Sequence, residues 1–101
     1  MSRVTEISTI DEHDAFISDH DRCVIFFGSM RCPHCIHMIP VFEKLAAQYP
    51  NIAFSHVEIT KVEVDNVDGV PVFVGYKYQS PIDIITGANQ KALTTMISKL
   101  Q

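Results

Sequence analysis

The chain has 101 residues, which is room for one domain, because two independently stable hydrophobic cores would not fit in that length. With 47% hydrophobic and 20% charged residues, the composition excludes a disordered chain, which needs fewer apolar residues and more net charge. A net charge of −4 argues against nucleic acid or a membrane surface as partner. No run reaches the roughly 18 apolar residues of a membrane span, and no apolar signal segment opens the sequence, so the expected location is cytoplasmic.

The first half of the chain alternates predicted strands and helices. An edge strand at residues 4–7 comes before Thr9, which with Glu12 three residues later is typical of a capping box. This box predicts a short helix that ends near residues 18–21. Residues 23–27 form a continuous apolar run, which indicates a strand buried on both faces at the centre of a parallel sheet.

A long helical pattern opens at the C-x-x-C motif and ends before Pro50. Pro33 falls in its first turn, where proline is favoured, and Pro40 falls in its middle, where proline predicts a kink. Residues 52–59 predict the next strand, and residues 61–66 allow at most about one turn of helix.

The second half of the chain is predicted to end in a hairpin and a helix. Strands are expected at residues 70–74 and 82–85, with a turn at residues 79–81 between them. Asn89 predicts the N-cap of a last helix. The apolar face of that helix comprises Leu93, Met96, Ile97 and Leu100. The order of elements predicts an α/β fold with a central mixed sheet of four to five strands, flanked by helices on both faces.

The C-x-x-C pair lies where a buried strand meets the start of a helix. Cys32 would lie at the helix N-terminus, where free N–H groups and the helix dipole lower a thiol pKa and favour the nucleophilic thiolate. Cys35, one turn on, suits the resolving thiol that attacks the resulting mixed disulfide. A zinc site is the alternative, but Cys23 lies within a predicted buried strand, and His34 and His37 would crowd the same turn. Cys23 is interpreted as a small buried hydrophobe.

Five features in chain order resemble the thioredoxin family, and they span nearly the whole sequence. The apolar strand at 24–27 leads into the C-x-x-C, and Pro40 follows the second cysteine by five residues. Val70-Pro71 opens a strand as the family's cis-proline loop does, and a two-stranded end follows. Residues 86–90 are similar to the Gly-Ala signature that comes before the family's final helix.

The resemblance implies a thioredoxin fold over residues 1–101 and a thiol–disulfide oxidoreductase that exchanges dithiols and disulfides with protein substrates. It implies that Cys32 attacks, that Cys35 resolves, and that their redox disulfide is Cys32–Cys35. It also implies a cis peptide at Pro71 facing the pair, and a Val70 backbone that hydrogen-bonds an extended substrate. No metal or organic cofactor is implied. The expected electron donor is a thioredoxin reductase or glutathione, and the expected state is a monomer.

The motif departs from the W-C-G-P-C of thioredoxins, because the chain reads Arg31-Cys32-Pro33-His34-Cys35 and contains no Trp. C-P-H-C is the motif of the periplasmic oxidase DsbA, yet 101 residues leave no room for the inserted helical domain of DsbA. Arg31 and His34 add positive charge or donors beside the attacking thiolate, and a stabilised thiolate makes the disulfide a stronger oxidant. We therefore expect a potential in the oxidising half of the range from roughly −270 mV for thioredoxin to roughly −120 mV for DsbA.

Two further departures concern proton transfer and the surface beside the site. Phe26 occupies the position where thioredoxins bury an Asp behind the second cysteine, so Cys35 lacks that acid/base group. The family's buried Lys falls near His56, which could relay a proton, although an outward-facing strand histidine is the simpler interpretation. The chain between Cys35 and Pro71 is shorter than in thioredoxins, which predicts a missing helix and a flatter or more open surface.

Three other histidines, His13, His20 and His37, are predicted to be solvated surface residues. Three alternative functions remain open from the sequence. A glutaredoxin-like enzyme would use glutathione, a non-catalytic interaction module would grip a partner without needing its cysteines, and a metal carrier would bind zinc or iron.

Overall fold

The computed structural model describes residues 3–62 and 69–101, and within them the chain forms a five-stranded sheet with three helices. The strands are β1 (Val4–Ile7), β2 (Arg22–Gly28), β3 (Ala53–Glu58), β4 (Val72–Lys77) and β5 (Ser80–Thr86). The helices are α1 (Ile10–Asp19), α2 (Pro33–Gln48) and α3 (Gln90–Leu100). The predicted order of elements and the mixed sheet are confirmed.

Strand β2 lies at the centre of the sheet, whose order is β1-β3-β2-β4-β5. It pairs in parallel with β3, which pairs in parallel with β1, and it pairs antiparallel with β4, which continues antiparallel to β5. Residues 23–28 of β2 are all buried. The continuous apolar run predicted this position, because a strand covered by helices on both faces has no solvent side.

The two faces of the sheet are covered by different helices. Alternate residues of β2 point to opposite faces, so Phe26 packs with α2 and α3 while Ile25 and Phe27 pack toward α1. The buried face of α3 is the predicted one: Leu93, Met96, Ile97 and Leu100 are all fully buried. The sequence therefore predicted the sheet and the face of α3 that covers it.

Four phenylalanines hold α2 against the sheet. The Phe42 ring lies 5.4 Å from that of Phe26, 5.1 Å from that of Phe54 and 5.7 Å from that of Phe73, measured between ring centroids. Phe26 and Phe73 pair at 4.6 Å across neighbouring strands. Tilted and edge-on pairs of this kind contribute about 0.5–1.5 kcal/mol each beyond the apolar area that they bury. This cluster fixes the helix that carries the cysteines.

Both predicted helix caps are confirmed. The Thr9 hydroxyl accepts the Glu12 N–H at 3.1 Å, and the Glu12 carboxylate accepts the Ser8 N–H at 3.2 Å in return. The Asn89 side chain accepts the Ala92 N–H at 3.0 Å. These bonds satisfy donors that the first turn of a helix leaves unpaired.

The predicted position of the hairpin turn is wrong. The turn falls at Tyr78 and Gln79, which have φ angles of 52° and 71°, whereas Ser80 and Pro81 already belong to β5. Two residues with positive φ match the twist of the paired strands. Pro81 is tolerated because β5 is an edge strand.

The structure corrects two of the three histidines predicted to be solvated. His13 is only 8% exposed, with its ring 5.9 Å from that of Phe27, and its Nδ1 lies 3.0 Å from the Asp14 carboxylate. His20 is half-buried, and its Nδ1 lies 2.9 Å from the Phe16 carbonyl oxygen. His37 is exposed as predicted.

Part of the segment between β3 and β4 lies outside the described residues. The N–H groups of Lys61 and Val62 both donate to the Glu58 carbonyl, which forms a turn where the sequence allowed one. The rest of the predicted turn, and the flatter surface predicted beside the cysteines, fall on residues 63–68 and lie outside the described part. Across residues 3–62 and 69–101, none of the helices combines the length and apolar character needed to cross a membrane.

Candidate active site

The C-x-x-C pair lies at the end of central strand β2, where α2 begins. Cys32 is the N-cap residue and Pro33 occupies the first turn, as predicted. Cys32 is half-buried, whereas Cys35 is 1% exposed and packs against the α2 side of the sheet. Both cysteines are free thiols. One sulfur is therefore accessible to a partner, and the other lies directly behind it.

The two thiols have opposite electrostatic environments. The pKa of Cys32 is lowered, chiefly by the hydrogen bond that the Cys35 thiol donates and also by the Cys35 and His34 backbone N–H groups, against the opposing effect of burial. Burial is the main cause that raises the pKa of Cys35 to about 11. Cys32, the more accessible of the two thiols, is thus the one that ionises first, which suits it for nucleophilic attack.

A proline loop faces the attacking thiol. The Val70–Pro71 peptide bond is cis, and the Val70 carbonyl oxygen lies 3.9 Å from the Cys32 sulfur. The Gly87 N–H donates to the Pro71 carbonyl at 2.8 Å, which ties the loop to the end of β5. Val70 is half-buried and Pro71 is buried. The structure thus brings together the four residues that the resemblance assigned to attack, resolution and substrate contact.

The loop before Cys32 is held by backbone and carboxylate hydrogen bonds. The Ile59 N–H donates to the Gly28 carbonyl at 3.0 Å, and the Cys32 N–H donates to the Ser29 carbonyl at 3.0 Å. Between them, the Met30 N–H donates to the Glu58 carboxylate at 2.7 Å. These contacts fix the path of the chain from β2 into α2.

Three residues in neighbouring strands form a row behind the cysteines. Glu6, His56 and Phe26 are register partners across β1, β3 and β2. The His56 Nδ1 lies 3.0 Å from a Glu6 carboxylate oxygen, and the His56 ring lies edge-on to that of Phe26 at 5.0 Å. The outward-facing interpretation of His56 is wrong, since the side chain is 8% exposed and lies on the α2 side of the sheet. The cross-strand partner Glu6 stabilises it there.

A cavity of about 380 Å³ opens beside this row, between α2 and the β1–β3–β2 side of the sheet. Its lining combines buried aromatic side chains, which include Phe26 and Phe42, with exposed charged ones. The other lining residues are Val4, Glu6, Met30, Ile39, Glu43, His56, Glu58 and Lys61.

Arg31, Pro33 and His34 lie around Cys32 and are all exposed. The His34 contribution that reaches the Cys32 sulfur comes from its backbone N–H. Exposed apolar side chains at Met30 and Ile36 flank the same surface. The surface around the thiol therefore combines cationic and apolar groups.

Cys23 lies apart from this site, on the α1 side of the sheet, and is fully buried. Burial raises its pKa to about 12, so it stays a thiol at neutral pH. Within residues 3–62 and 69–101, no group of three or more His, Cys, Asp or Glu side chains is arranged to hold a metal ion.

Two carboxylates at the site were missed by the sequence reasoning. Glu6 partners His56, and Glu58 accepts the Met30 N–H while its charge helps to raise the pKa of Cys35. Strand alternation contained the signal for Glu58, because residues two apart on a strand share a face. The contact between Glu6 and His56 depends on the pairing of β1 with β3, which the sequence does not specify.

Comparison with known proteins gives a consistent result. The family profile described as Thioredoxin matches residues 4–99. A protein named Thioredoxin-3 from Dictyostelium discoideum is 31% identical over 101 residues, covering 96% of each chain.

Solved structures of thioredoxins share the fold of this chain. A thioredoxin from Plasmodium falciparum superposes with a TM-score of 0.91 at 28% identity, covering 97% of this chain and all of that one. The mitochondrial thioredoxin 3 of Saccharomyces cerevisiae, in its oxidised form, superposes with a TM-score of 0.90 at 30% identity, covering 96% of this chain and 95% of that one.

Proposed function

Because the chain belongs to the thioredoxin family of thiol–disulfide oxidoreductases, we propose that its Cys32 and Cys35 carry out reversible dithiol–disulfide exchange with protein substrates. The observation that carries the proposal is the contrast between the two thiols. Cys32 is accessible with a lowered pKa, whereas Cys35 is buried with a pKa raised to about 11.

Reduction of a client disulfide takes two exchange steps. The Cys32 thiolate attacks one client sulfur, forms a mixed disulfide and expels the other client sulfur as a thiolate, which takes up a proton. Cys35 then loses its proton and attacks the Cys32 sulfur, forming the Cys32–Cys35 disulfide and expelling the second client thiolate. Two electrons pass from the protein to the client, and oxidation of a client runs along the same path in reverse.

The cis-proline loop supplies the substrate contact in this proposal. The Val70 carbonyl lies 3.9 Å from the Cys32 sulfur, so an extended client strand that bonds to the Val70 backbone would bring its own sulfur to the nucleophile. Pro71 shapes this edge, and Arg31 borders it as an exposed cation. Pro33 starts the helix on the other side of the thiol.

The first experiment separates turnover from simple binding. A Cys35→Ser variant is expected to accumulate a mixed disulfide with a disulfide-bonded protein substrate, and a Cys32→Ser variant is expected to form none. Intact-mass spectrometry detects the adduct. Cys23→Ala is the matched control, because that buried thiol lies on the opposite side of the sheet and its loss should leave turnover unchanged. A Cys32→Ser protein that still reduces the substrate would overturn the proposal.

We also propose that His56 relays the proton that Cys35 must lose. Its imidazole is buried beside Phe26, the residue that stands where the family has a buried carboxylate. Its Nδ1 lies 3.0 Å from a Glu6 carboxylate oxygen. The cavity that it lines also reaches Glu58, whose charge acts on Cys35. Imidazole is the side chain that most often serves as a general acid and base in proteins.

The redox poise is proposed to be more oxidising than that of a typical thioredoxin. The lowered pKa of Cys32 supports this, because stabilising the thiolate stabilises the reduced form. Arg31 and His34 are the side chains proposed to add to that stabilisation. A thioredoxin reductase is the proposed electron donor, with glutathione as the alternative.

The proposed setting is the cytoplasm, and the proposed state is a monomer that needs neither nucleic acid nor a membrane. The free buried thiol of Cys23 suits a reducing compartment. Cell fractionation and the solution mass of the reduced protein test these two points.

A further inference from the structure

Glu58 ends β3, and its side chain crosses to the loop that joins β2 to α2. The carboxylate accepts the Met30 N–H at 2.7 Å on one oxygen. Its other oxygen accepts the Thr60 N–H at 3.2 Å and the Thr60 hydroxyl at 3.0 Å. Both oxygens are therefore engaged, one by the loop before the attacking cysteine and one by the chain that follows β3.

Among residues 3–62 and 69–101, the loop has few other long-range hydrogen bonds. The Arg31 and Cys32 N–H groups donate back to Ser29, within the loop itself. The Met30 side chain is 56% exposed, so packing does not fix its position. The bond from Met30 to Glu58, by contrast, joins residues 28 apart in sequence. It anchors the middle of the loop to the sheet immediately before Cys32.

The charge of Glu58 acts on Cys35, the second cysteine of the pair. Although partial burial works to raise its pKa, the hydrogen bonds from Met30 and Thr60 and the nearby His56 together hold the pKa of Glu58 below its ordinary value. The group is therefore a carboxylate at neutral pH. Its negative charge adds to the burial that raises the pKa of Cys35.

We propose that Glu58 is a positioning residue with two separable effects on thiol–disulfide exchange: its oxygens hold the Cys32 loop for attack, and its charge slows the release step by Cys35. The inference rests on the proposed exchange reaction and deepens it. A carboxylate near Cys35 opposes formation of a second anion there, so the mixed disulfide with the client persists longer. The lifetime of that intermediate is thus set in part by a residue outside the C-x-x-C motif.

Two variants separate the effects, and a neutral chromogenic disulfide, dithiodipyridine, reports both steps. Each reduced molecule expels one thiopyridone when Cys32 attacks and a second when Cys35 releases the adduct, and stopped-flow absorbance resolves the two. Glu58→Gln keeps an oxygen for the Met30 N–H but loses the charge and the second acceptor, which serves Thr60. We expect its attack rate within about twofold of wild type, its release several-fold faster, and the pH profile of release moved to lower pH.

Glu58→Ala loses both the charge and the acceptor. Its release is expected to be faster as in the Gln variant, but its attack should fall by about tenfold, because no acceptor is left for the Met30 N–H that ties the loop to β3. Asp19→Asn is the matched control, since it removes one exposed carboxylate at the end of α1, and both of its rates should equal those of wild type.

The outcomes are distinct. If wild type releases no thiopyridone through Cys32 and Cys35, the proposed function fails. If wild type is active but Glu58→Gln leaves the pH profile of release unchanged, the electrostatic effect is overturned. An attack rate for Glu58→Ala equal to that of wild type overturns the positioning effect. Should Glu58→Ala fail to fold, Thr60→Val, which removes one donor to the carboxylate, replaces it with an expected smaller loss of attack rate.

Discussion

At the scale of single residues, Phe26 stands where the family has a buried carboxylate, so the resolving thiol needs its base from another residue in the proposed mechanism. The side chain is buried, with its ring 4.6 Å from that of Phe73 and 5.0 Å from that of His56. Burial is the main cause that raises the pKa of Cys35, so this thiol is protonated at neutral pH and must lose a proton before it attacks. A side chain that accepts this proton therefore has a large effect on the release step.

His56 provides the first residue-scale prediction. Replacing it by Ala or Gln is expected to slow release by about a hundredfold, the lower end of the range for general acid–base catalysis, while the attack rate of Cys32 stays near that of wild type. The pH profile of release should become steeper through neutral pH, because solvent hydroxide takes over. Single-turnover kinetics with dithiodipyridine measure both steps.

The control for this prediction is His37→Ala, an exposed imidazole on the same helix as Cys35. If His56→Ala releases its adduct as fast as this control and with the same pH profile, His56 has a packing role only. Equal loss in both steps would likewise contradict a relay, since that pattern indicates a disturbed fold.

The second residue-scale prediction concerns the dipeptide between the cysteines. A glutathione redox titration of the wild type is expected to give a potential above the roughly −270 mV of thioredoxin. His34→Gln should lower it by up to about 30 mV, which corresponds to about 1.4 kcal/mol of lost preference for the reduced form. Arg31→Gln should move it in the same direction.

A wild-type potential as low as that of thioredoxin would contradict the proposed oxidising poise. If the potential is high but neither variant moves it, the backbone N–H groups and the Cys35 thiol account for the stabilised Cys32 thiolate without either side chain.

At the scale of elements, the sequence predicted what periodicity and caps control and missed what pairing controls. The capping box at Thr9 and the apolar run of β2 are local signals, and both were correct. The hairpin turn was misplaced because Gln79-Ser80-Pro81 has turn-forming residues, whereas the register of β4 with β5 puts Pro81 in an edge strand. His13 was placed in solvent because the exposed and buried faces of a ten-residue helix are hard to separate when only Phe16 marks the buried one.

The same limit applied to the site. The motif specified Cys32 and Cys35, but the carboxylates of Glu6 and Glu58 reach it only through strand pairing and a loop crossing. Alternation along β3 places Glu58 on the same face as His56, but the groups that Glu6 and Glu58 contact belong to elements distant in sequence, and those contacts leave no periodic trace.

The packing of α3 on β4 gives the element-scale prediction. A Cβ at Gly75 would lie 3.1 Å from the Met96 sulfur and 3.3 Å from the Met96 Cγ, which is tighter than ordinary contact. Gly75→Ala is therefore expected to lower the free energy of unfolding by about 1–3 kcal/mol, because α3 must shift outward. Urea unfolding monitored by circular dichroism measures the loss.

A double-variant cycle tests the cause. Met96→Ala alone should cost about 2–5 kcal/mol, since the side chain is fully buried, but it also removes the atoms nearest to the new methyl group. The combined variant should be more stable than the sum of the two losses predicts, by about 1 kcal/mol or more. Strict additivity would show that the cost of Gly75→Ala arises elsewhere.

At the scale of the whole molecule, the two buried thiols make the stability of the reduced protein depend on pH in the alkaline range. Burial raises the pKa of Cys35 to about 11 and that of Cys23 to about 12, both above the usual 9.0. Between pH 9.0 and these raised pKa values, the thiols of the unfolded chain lose protons that the folded chain keeps. Their contribution is complete below about pH 9 and is lost as pH rises through the folded values. Tyr76, whose pKa burial also raises, acts with the same sign.

The reduced protein is therefore expected to lose a few kcal/mol of unfolding free energy between about pH 8 and about pH 11, measured by urea titration. The disulfide form should lose less, because neither Cys32 nor Cys35 can titrate in it. In the reduced protein, Cys23→Ala should weaken the dependence of the unfolding free energy on pH, whatever the stability of the variant at neutral pH, because the thiol on the α1 side of the sheet is gone. Parallel curves for the reduced wild type and Cys23→Ala would mean that this thiol does not contribute. Parallel curves for the two redox forms would contradict the raised pKa of Cys35, and with it the need for a base behind the active site.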